Sequence, residues 1–403
     1  MSDSDLLQKI DAEIALFSAA ELAAELVRIP SHPGIERQEE QVVLALARFF
    51  GERDLGVQLE EVLPGRPNLM VSVQGGRPGP HLLFCGHTDT VPLNSGDPGF
   101  GLSGDIRDGR LLGRGSVDMK SAVAAMAVAV VALSRHLPAG RVSFAAVVDE
   151  EMESLGAEQL VDTSFRADGA VVGEPTSNRI ALGHKGLEWL EVHFQGRSAH
   201  GGTPEKGINA VSAAGMFLAL VEHELKPRLL ARRHPILGPP TLNFGTIRGG
   251  DQPSTVAATC LLTLDRRTVP GENFQSVVSE LTDLLERVER SFPGLHAVVR
   301  RVQGGMGNLL HVALVTAPEA PLAMAAQAAR RRVCGEVGEL TTFPAWTDGA
   351  LLAGYAGIST IILGPGEISL AHSPRESVPV AEIDEAARIY AHLALAFCAG
   401  VGM

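Results

Sequence analysis

Residues 81–90 read HLLFCGHTDT, and this stretch decides the fold. The apolar run at 82–85 is typical of a strand buried on both faces, and His87 and Asp89 follow it directly. In open α/β sheets, ligand-binding residues collect beyond the carboxyl ends of the strands. The stretch predicts a buried strand that ends in a histidine and a carboxylate, a pair that is equally consistent with a structural histidine.

Other short apolar runs predict buried strands at 68–73, 142–148, 169–172 and 359–363. Helical spacing separates several of them, most clearly at 119–134. Buried strands that alternate with helices indicate an α/β domain with a mainly parallel sheet and helices on both faces.

The segment 185–303 has a different order of elements: strand, helix, strand, strand, helix, strand. This βαββαβ order predicts an inserted ferredoxin-like α+β domain. A helical pattern at 320–334 then returns the chain to the first domain. The predicted organisation is therefore a first domain formed by 1–184 and 304–403, with 185–303 inserted between its two parts.

Composition limits the possible partners. The formal net charge of -13 argues against nucleic acid, which favours a basic face, and gives no support for binding to anionic membranes. The first 16 residues lack the cationic start and apolar stretch of a signal peptide, and no charge-free apolar run of about 18 residues occurs. The four cysteines are far apart and form no CxxC pair. These features predict a soluble cytoplasmic protein.

Acidic residues and a second histidine follow the other predicted strands. The run Asp149-Glu150-Glu151 comes straight after 142–148, where three carboxylates are costly unless a cation lies between them. Glu174 follows another strand, and His372 comes shortly after the last one. Asp118 opens the long apolar helix, where an N-cap is the commoner role. When it is considered alone, each residue is also consistent with a purely structural role.

Considered together, these residues favour a cation site, because two imidazoles and several carboxylates converge without a balancing Lys or Arg. Nitrogen and oxygen ligands without cysteine suit zinc, with cobalt or manganese as second choices. Two Zn²⁺ ions carry four positive charges, and three ligand carboxylates neutralise three of them. A hydroxide ion can neutralise the fourth, and hydroxide is the nucleophile that such a site needs. The predicted ligands are His87, Asp118, Glu151, Glu174 and His372. Glu150 cannot readily ligate the same metal face as its neighbour Glu151, which makes it the candidate general base.

At this point the chain resembles the acetylornithine deacetylase, succinyl-diaminopimelate desuccinylase and aminoacylase family of dinuclear zinc amidohydrolases, which also includes carboxypeptidases and dipeptidases. The matching segments, in the family's order, are GHTDTVP at 86–92, GRGSVDMK at 113–120, DEE at 149–151, GEPT at 173–176, HKG at 184–186, SAHGGTPEKGINA at 198–210 and AHSPRE at 371–376.

The resemblance implies a role for each residue of the site. Asp118 would bridge two metal ions, one of them also held by His87 and Glu174. The other ion would be held by Glu151 and His372.

The resemblance also implies roles close to the metals. Asp89 would hold His87, and Glu150 would carry a proton from water to the leaving amine. The family further implies a cis peptide bond between Asp118 and Met119.

In the inserted domain, the resemblance implies that His200 reaches the active site of a partner subunit and stabilises the oxyanion. The protein would then be a homodimer formed through that domain. Arg267 would clamp a free carboxylate of the substrate, although Arg266 stands where the family usually has an apolar residue, so either arginine is a candidate. Asn243 and the glycines Gly364 and Gly366 are further candidates for the pocket, and a turn or strand role fits them nearly as well.

The predicted function is hydrolysis of a linear amide in a small N-acyl amino acid, and the GEPT and HKG segments favour a deacylase. A dipeptidase or carboxypeptidase of the same family would use the same site. A non-catalytic metal-binding homologue is the remaining alternative, although Glu150 and all the ligands are present.

Overall fold

The computed structural model describes residues 2–97, 99–163, 165–304 and 306–402, so the predicted domain ends at 1 and 403 lie outside the described residues. The chain forms two compact units, one from Met1–His184 with Leu314–Met403 and the other from Lys185–Ala313. The second unit runs past the predicted end at 303, because the backbone N–H of Leu187 donates a hydrogen bond to the carbonyl of His311 at 2.8 Å.

The strands, in chain order, are β1 Val57–Leu63, β2 Arg66–Gln74, β3 His81–His87, β4 Ile106–Arg107, β5 Arg110–Leu112, β6 Arg141–Val147, β7 Gly169–Val172, β8 Gly183–His184, β9 Gly186–Gln195, β10 Thr241–Gly249, β11 Thr259–Thr268, β12 His296–Arg301, β13 Leu314–Val315, β14 Ser359–Ile362 and β15 Ser377–Pro379.

The α-helices are α1 Asp3–Ile14, α2 Ala19–Arg28, α3 Glu40–Gly51, α4 Ser121–His136, α5 Leu155–Asp162, α6 Ala210–Leu220, α7 Lys226–Ala231, α8 Phe274–Ser291, α9 Pro321–Cys334, α10 Gly349–Gly354 and α11 Val380–Ala399. Short 3₁₀ or π turns occupy Ser116–Lys120, Pro204–Lys206, Val221–Leu225 and Ile368–Leu370.

The first unit is built on a six-stranded sheet with the order β1-β2-β6-β3-β7-β14. The four strands from β6 to β14 are parallel, and the hairpin β1–β2 joins them antiparallel. Alternate side chains of β3 are buried on opposite faces. Phe84 packs against Tyr390 of α11, whereas Cys85 belongs to a cluster with Leu160 of α5 and Leu352 of α10. This is the predicted mainly parallel sheet covered on both faces.

Helix α4 lies in the core of this unit. Its side chains from Ser121 to Leu133 are all buried, and six of these 13 positions are alanine, whose small side chain lets neighbouring elements approach closely. The segment Ser116–His136 is long and apolar enough to cross a membrane by length and composition alone. The apolar 18-residue stretch within it is entirely buried inside the protein, so it belongs to the core.

The second unit is a four-stranded antiparallel sheet with the order β10-β11-β9-β12. Helices α6 and α8 cover one face, where Leu190, Val192 and Phe194 of β9 pack on Phe217 and other apolar residues. The strand order and the βαββαβ sequence of elements confirm the ferredoxin-like prediction.

Candidate metal centre

The carboxyl ends of the parallel strands bring the predicted residues to one edge of the sheet. His87 ends β3 opposite Val147, the last residue of β6, and Val172 at the end of β7 pairs with Cys85. Glu150 and Glu151 follow β6 by three and four residues, and Glu174 follows β7 by two. This register brings the three acidic residues close to His87.

Asp118 lies between the two histidines. Its Oδ1 is 3.0 Å from Nε2 of His87, and its Oδ2 is 3.3 Å from Nε2 of His372. The peptide bond to Met119 is cis, which confirms the expectation from the family. Asp118 has non-helical backbone angles and α4 begins only at Ser121, so its side chain does not cap that helix.

The remaining acids surround this central group. Oε1 of Glu151 is 3.1 Å from Nε2 of His372, and Oε1 of Glu174 is 3.8 Å from Nε2 of His87. Potential ligand atoms of His87, Asp118 and Glu151 lie within 4.8 Å of one another, and those of His87, Glu150 and Glu174 do so as well. The five predicted ligands and Glu150 therefore form one cluster.

The negative charge of this cluster faces two histidines but no Lys or Arg among the described residues. Among the residues that the structure describes, Glu150, Glu151 and Glu174 form no ion pair with a Lys or Arg. Burial raises the pKa of all three, and the neighbouring carboxylates raise it further. Buried Asp348, whose pKa burial raises to about 7, adds to the repulsion felt by Glu150. A bound cation would relieve this repulsion.

The histidines respond to the same acids. Hydrogen bonds with Asp118 and Glu151 raise the pKa of His372 to about 10. Burial acts to lower the pKa of His87, but its contacts with Asp118 and Asp89 outweigh burial and raise that pKa well above the ordinary value. Burial acts to raise the pKa of Asp118, but hydrogen bonds from the two histidines lower it overall. The nitrogen and oxygen atoms that face one another here are the atoms to which a metal ion would bind.

Asp89 contacts both sides of the cluster. Nδ1 of His87 lies 3.1 Å from the Asp89 backbone carbonyl and 3.4 Å from its carboxylate. The same carboxylate accepts hydrogen bonds from the backbone N–H groups of Glu150 at 3.2 Å and Glu151 at 2.9 Å. The sequence predicted the contact with His87 but gave no sign of the second contact.

A buried ion pair supports the turn after β6, and sequence reasoning missed it. Arg66 donates two hydrogen bonds to Glu39, at 2.6 and 2.5 Å, and one to Asp149 at 2.7 Å. The backbone N–H of Asp149 also donates to Glu39 at 3.2 Å. A positive φ of 72° at Asp149 is unusual for a residue with a side chain, and these bonds hold it in place. The partners lie 27 to 110 residues apart, so no local sequence pattern predicts these contacts.

Both candidate glycines, Gly364 and Gly366, occupy positions where the backbone disfavours a side chain. A side chain at Gly364 would approach the carbonyl oxygen of Gly173 to 2.1 Å, and Gly366 has a φ of 92°. The carbonyl of Gly364 accepts hydrogen bonds from the backbone N–H groups of Thr176 and Asn178, in the loop that carries Glu174. Close packing explains Gly364 and the positive φ explains Gly366, and contact with substrate stays a prediction.

The second unit holds the other predicted residues. His200 is exposed on the loop after β9, where its Nδ1 accepts a hydrogen bond from Gly202 N–H at 3.1 Å. Asn243 is exposed on β10 and pairs across the sheet with Asp265.

The two neighbouring arginines differ sharply in environment. Arg266 is 1% exposed, and its guanidinium donates a hydrogen bond to Glu272 at 2.6 Å. Arg267 is partly exposed and forms a two-bond pair with Asp265, at 2.8 and 3.0 Å. Only Arg267 is accessible enough to serve the proposed clamp, which favours it over Arg266.

A family comparison fits this arrangement: the model of the peptidase family M20/M25/M40 matches residues 83–396. The chain belongs to this family. It is therefore a metal-dependent hydrolase of the M20 type. An acetylornithine deacetylase from Proteus mirabilis (strain HI4320) is 30% identical over 399 residues, which cover 96% of this chain and 98% of the relative.

Solved structures show the same fold. The aminopeptidase PepT of Bacillus cereus ATCC 10987 matches with a TM-score of 0.77 and 22% identity, covering 93% of this chain and 97% of its own. The YXEP protein of Bacillus subtilis, described as a dinuclear metal binding peptidase from the M20 family, matches with a TM-score of 0.72 and 14% identity over 95% of this chain and 98% of its own. The two-domain architecture is thus a known one.

Proposed function

We propose that this protein is a cytoplasmic, homodimeric amidohydrolase that uses two zinc ions to release an acyl group from an N-acyl amino acid. The observation that carries the proposal is the position of Asp118, whose two carboxylate oxygens each face a different histidine. The similarity to an acetylornithine deacetylase over nearly the whole chain supports a deacylase.

The residues present fit a pair of divalent cations. His87 and Glu174 would hold one ion and Glu151 and His372 the other, with Asp118 shared between them. All contribute nitrogen or oxygen donors, which zinc accepts and for which cobalt and manganese are substitutes. When bound, zinc polarises the scissile carbonyl and lowers the pKa of water towards neutrality.

Glu150 is proposed to move the proton. It lies in the cluster but lacks a Lys or Arg partner among the described residues, and its raised pKa brings it towards the pH at which a base works best. Its carboxylate would accept a proton from the attacking water and then deliver that proton to the departing nitrogen. The N–H bond formed in this way makes the amine a viable leaving group.

Residues of the second unit are proposed to recognise the rest of the substrate. Arg267 would bind the free carboxylate, since a guanidinium donates two parallel hydrogen bonds to such a group. His200 would donate a hydrogen bond to the oxyanion in the active site of the partner subunit. Asn243, Gly364 and Gly366 are proposed as further contacts in the pocket.

A substrate panel tests the proposal. Zinc-loaded protein should hydrolyse N-acetyl or N-succinyl amino acids with a kcat/KM at least about tenfold above that for dipeptides, because one well-matched pocket contact changes kcat/KM by roughly that factor. Faster cleavage of dipeptides would identify a dipeptidase or carboxypeptidase instead. Bound metal without hydrolysis of either class would identify a non-catalytic homologue.

A further inference from the structure

A buried carboxylate lies behind the metal centre without belonging to its ligands. Glu376 is 1% exposed, and its Oε1 accepts hydrogen bonds from three backbone N–H groups. The donors are Gly115 and Val117, both at 2.9 Å, and Asp118 at 3.2 Å. Gly115 adopts a φ of 83°, which lets these N–H groups point at one oxygen. Glu376 therefore fixes the backbone that carries Asp118.

Arg114 connects this carboxylate to the loop of His372. Its Nη1 donates to Oε2 of Glu376 at 2.5 Å. Its Nη2 donates to Oδ1 of Asn94 at 2.8 Å and to the backbone carbonyl of His372 at 3.2 Å. Asn94 donates to the same carbonyl through Nδ2 at 3.1 Å. The His372 carbonyl thus receives two hydrogen bonds.

These contacts matter because His372 adopts an unusual backbone conformation. Its φ of 61° lies in the left-handed region, which residues with a side chain rarely adopt, and its side chain is about half exposed. Packing alone does not fix such a residue. In contrast, His87 is 2% exposed at the end of a central strand, where the sheet itself determines its position.

We propose that Arg114, Glu376 and Asn94 act together as positioning residues that set the separation of His372 from Asp118 and so create the second metal position. The inference rests on the proposed two-metal function and adds a division of labour to it. The sheet positions His87 and Glu174 for the first ion. The buried Arg114–Glu376 pair positions His372 for the second.

Cobalt titration of chelator-treated protein tests the inference, because visible absorption of Co²⁺ reports the coordination of each ion apart from activity. The variants are Arg114→Lys, Glu376→Gln and Asn94→Ala. Wild-type protein should bind two Co²⁺ ions. In Arg114→Lys and Asn94→Ala the second ion should bind about 10- to 100-fold more weakly, the usual effect of removing a residue that orients a ligand, while the first should change by less than about twofold. Glu376→Gln should weaken both ions, because Glu376 also holds the backbone of Asp118.

Arg110→Lys is the matched control. Arg110 also holds the neighbouring strand β15, by donating hydrogen bonds to the Ser377 carbonyl at 2.8 Å and to the Ser377 hydroxyl at 3.1 Å, but among the described residues it does not bond to 372–376. Both cobalt affinities should stay at the wild-type level in this control.

The outcomes separate the inference from the proposed function. Fewer than two Co²⁺ ions on the wild-type protein would refute the dinuclear site itself. Two ions on the wild type, with both affinities unchanged or both weakened equally in Arg114→Lys and Asn94→Ala, would overturn the positioning role. Since Asn94→Ala and Arg114→Lys leave Glu376 in place, they keep the test decisive if Glu376→Gln fails to fold.

Discussion

Acidic side chains shielded from solvent have opposite surroundings in two places, the sandwich of the second unit and the sheet edge of the first. In the second unit Glu272 is paired with Arg266, and Glu188 with Arg301. In the first unit Glu150, Glu151 and Glu174 converge at the sheet edge without a Lys or Arg partner among the described residues. Because uncompensated buried charge is costly, the acids at the sheet edge of the first unit would be stabilised by a bound cation, whereas the pairs in the second unit are complete as folded.

The difference teaches where function is to be sought. Paired acids contribute to the structure of the sandwich, and their loss should affect folding. The acids without a Lys or Arg partner would suit a bound cation. Their loss should affect metal binding or catalysis, with a smaller effect on folding. Substitutions in the two groups should therefore produce different kinds of defect.

The largest effect is expected at Glu150. Replacement by Ala removes the proposed proton carrier, and turnover should fall by about 10²- to 10⁴-fold, the usual contribution of general acid–base catalysis. Metal content should stay near normal, because Glu150 is not among the proposed ligands. Steady-state kinetics together with elemental analysis measures both quantities.

Glu188→Gln provides the contrast in the second unit. This buried glutamate accepts a hydrogen bond from Arg301 at 3.1 Å, so its replacement should lower the free energy of unfolding and leave kcat nearly unchanged. Ordinary activity in Glu150→Ala would disprove the assignment of the base.

A second prediction concerns His200, which should act across the proposed dimer. His200→Ala alone should lower kcat by about 10²- to 10³-fold, as the loss of one oxyanion donor does. Mixing that variant with Glu150→Ala should restore activity, because one site in each heterodimer then has both groups. With random exchange of subunits, about a quarter of wild-type activity should return. No recovery, despite proven exchange, would place His200 in its own subunit's site or outside catalysis.

The neighbouring arginines allow a sharper comparison within one strand. Arg267→Ala should raise KM by about 10- to 100-fold for carboxylate substrates, since a hydrogen bond to a charged group contributes about 1.5–3 kcal/mol. Arg266→Ala should instead lower the free energy of unfolding by about 3 kcal/mol, because it leaves a buried carboxylate short of its partner. Kinetics and urea denaturation distinguish the two defects. An unchanged KM in Arg267→Ala would remove it from the substrate site.

The smallest predicted effect is a pH dependence of the chelator-treated protein. The pKa values of Glu150, Glu151 and Glu174 are raised, and that of His372 rises from 6.5 to about 10. A group with a raised pKa in the folded chain contributes stability below its unfolded pKa and loses it as pH rises through the folded pKa. The free energy of unfolding should therefore decrease between pH 6.5 and about 10.

Zinc should reverse this trend, because its ligands must be deprotonated and metal affinity therefore increases with pH. Urea denaturation across this pH range, with and without zinc, checks the prediction. A chelated protein whose stability is independent of pH would contradict the charge distribution described for the first unit.

Much of the fold could be predicted because buried strands have a simple pattern. The apolar runs at 142–148 and 169–172 correspond to β6 and β7 within about one residue. The hairpin strand β1 was missed, because most of its side chains are exposed and Glu60 and Glu61 interrupt any apolar pattern.

Helix limits were less predictable. The first 28 residues contain two helices, α1 and α2, and Ser18 caps the start of α2. In the second unit, α7 was not among the predicted elements of 185–303. A proline at the second position of α7 is compatible with a helix start.

The cluster itself could be predicted because ligands follow strands that end at a common edge. The supporting contacts could not be predicted, since they depend on tertiary neighbours. Arg114 and Glu376 lie within the matched segments 113–120 and 371–376, but nothing in either segment shows that they pair across 262 residues. Nothing in the local sequence around Glu39 or Arg66 shows that these two residues form a contact either.

The most direct test of the central claim is anomalous X-ray diffraction at the zinc absorption edge from crystals of the zinc-loaded protein. Two peaks are expected on either side of Asp118, about 3.5–4 Å apart, one near His87 and Glu174 and the other near His372 and Glu151. A crystal soaked in zinc that shows no peak at this sheet edge would contradict the claim that these acidic residues are arranged to hold a pair of cations.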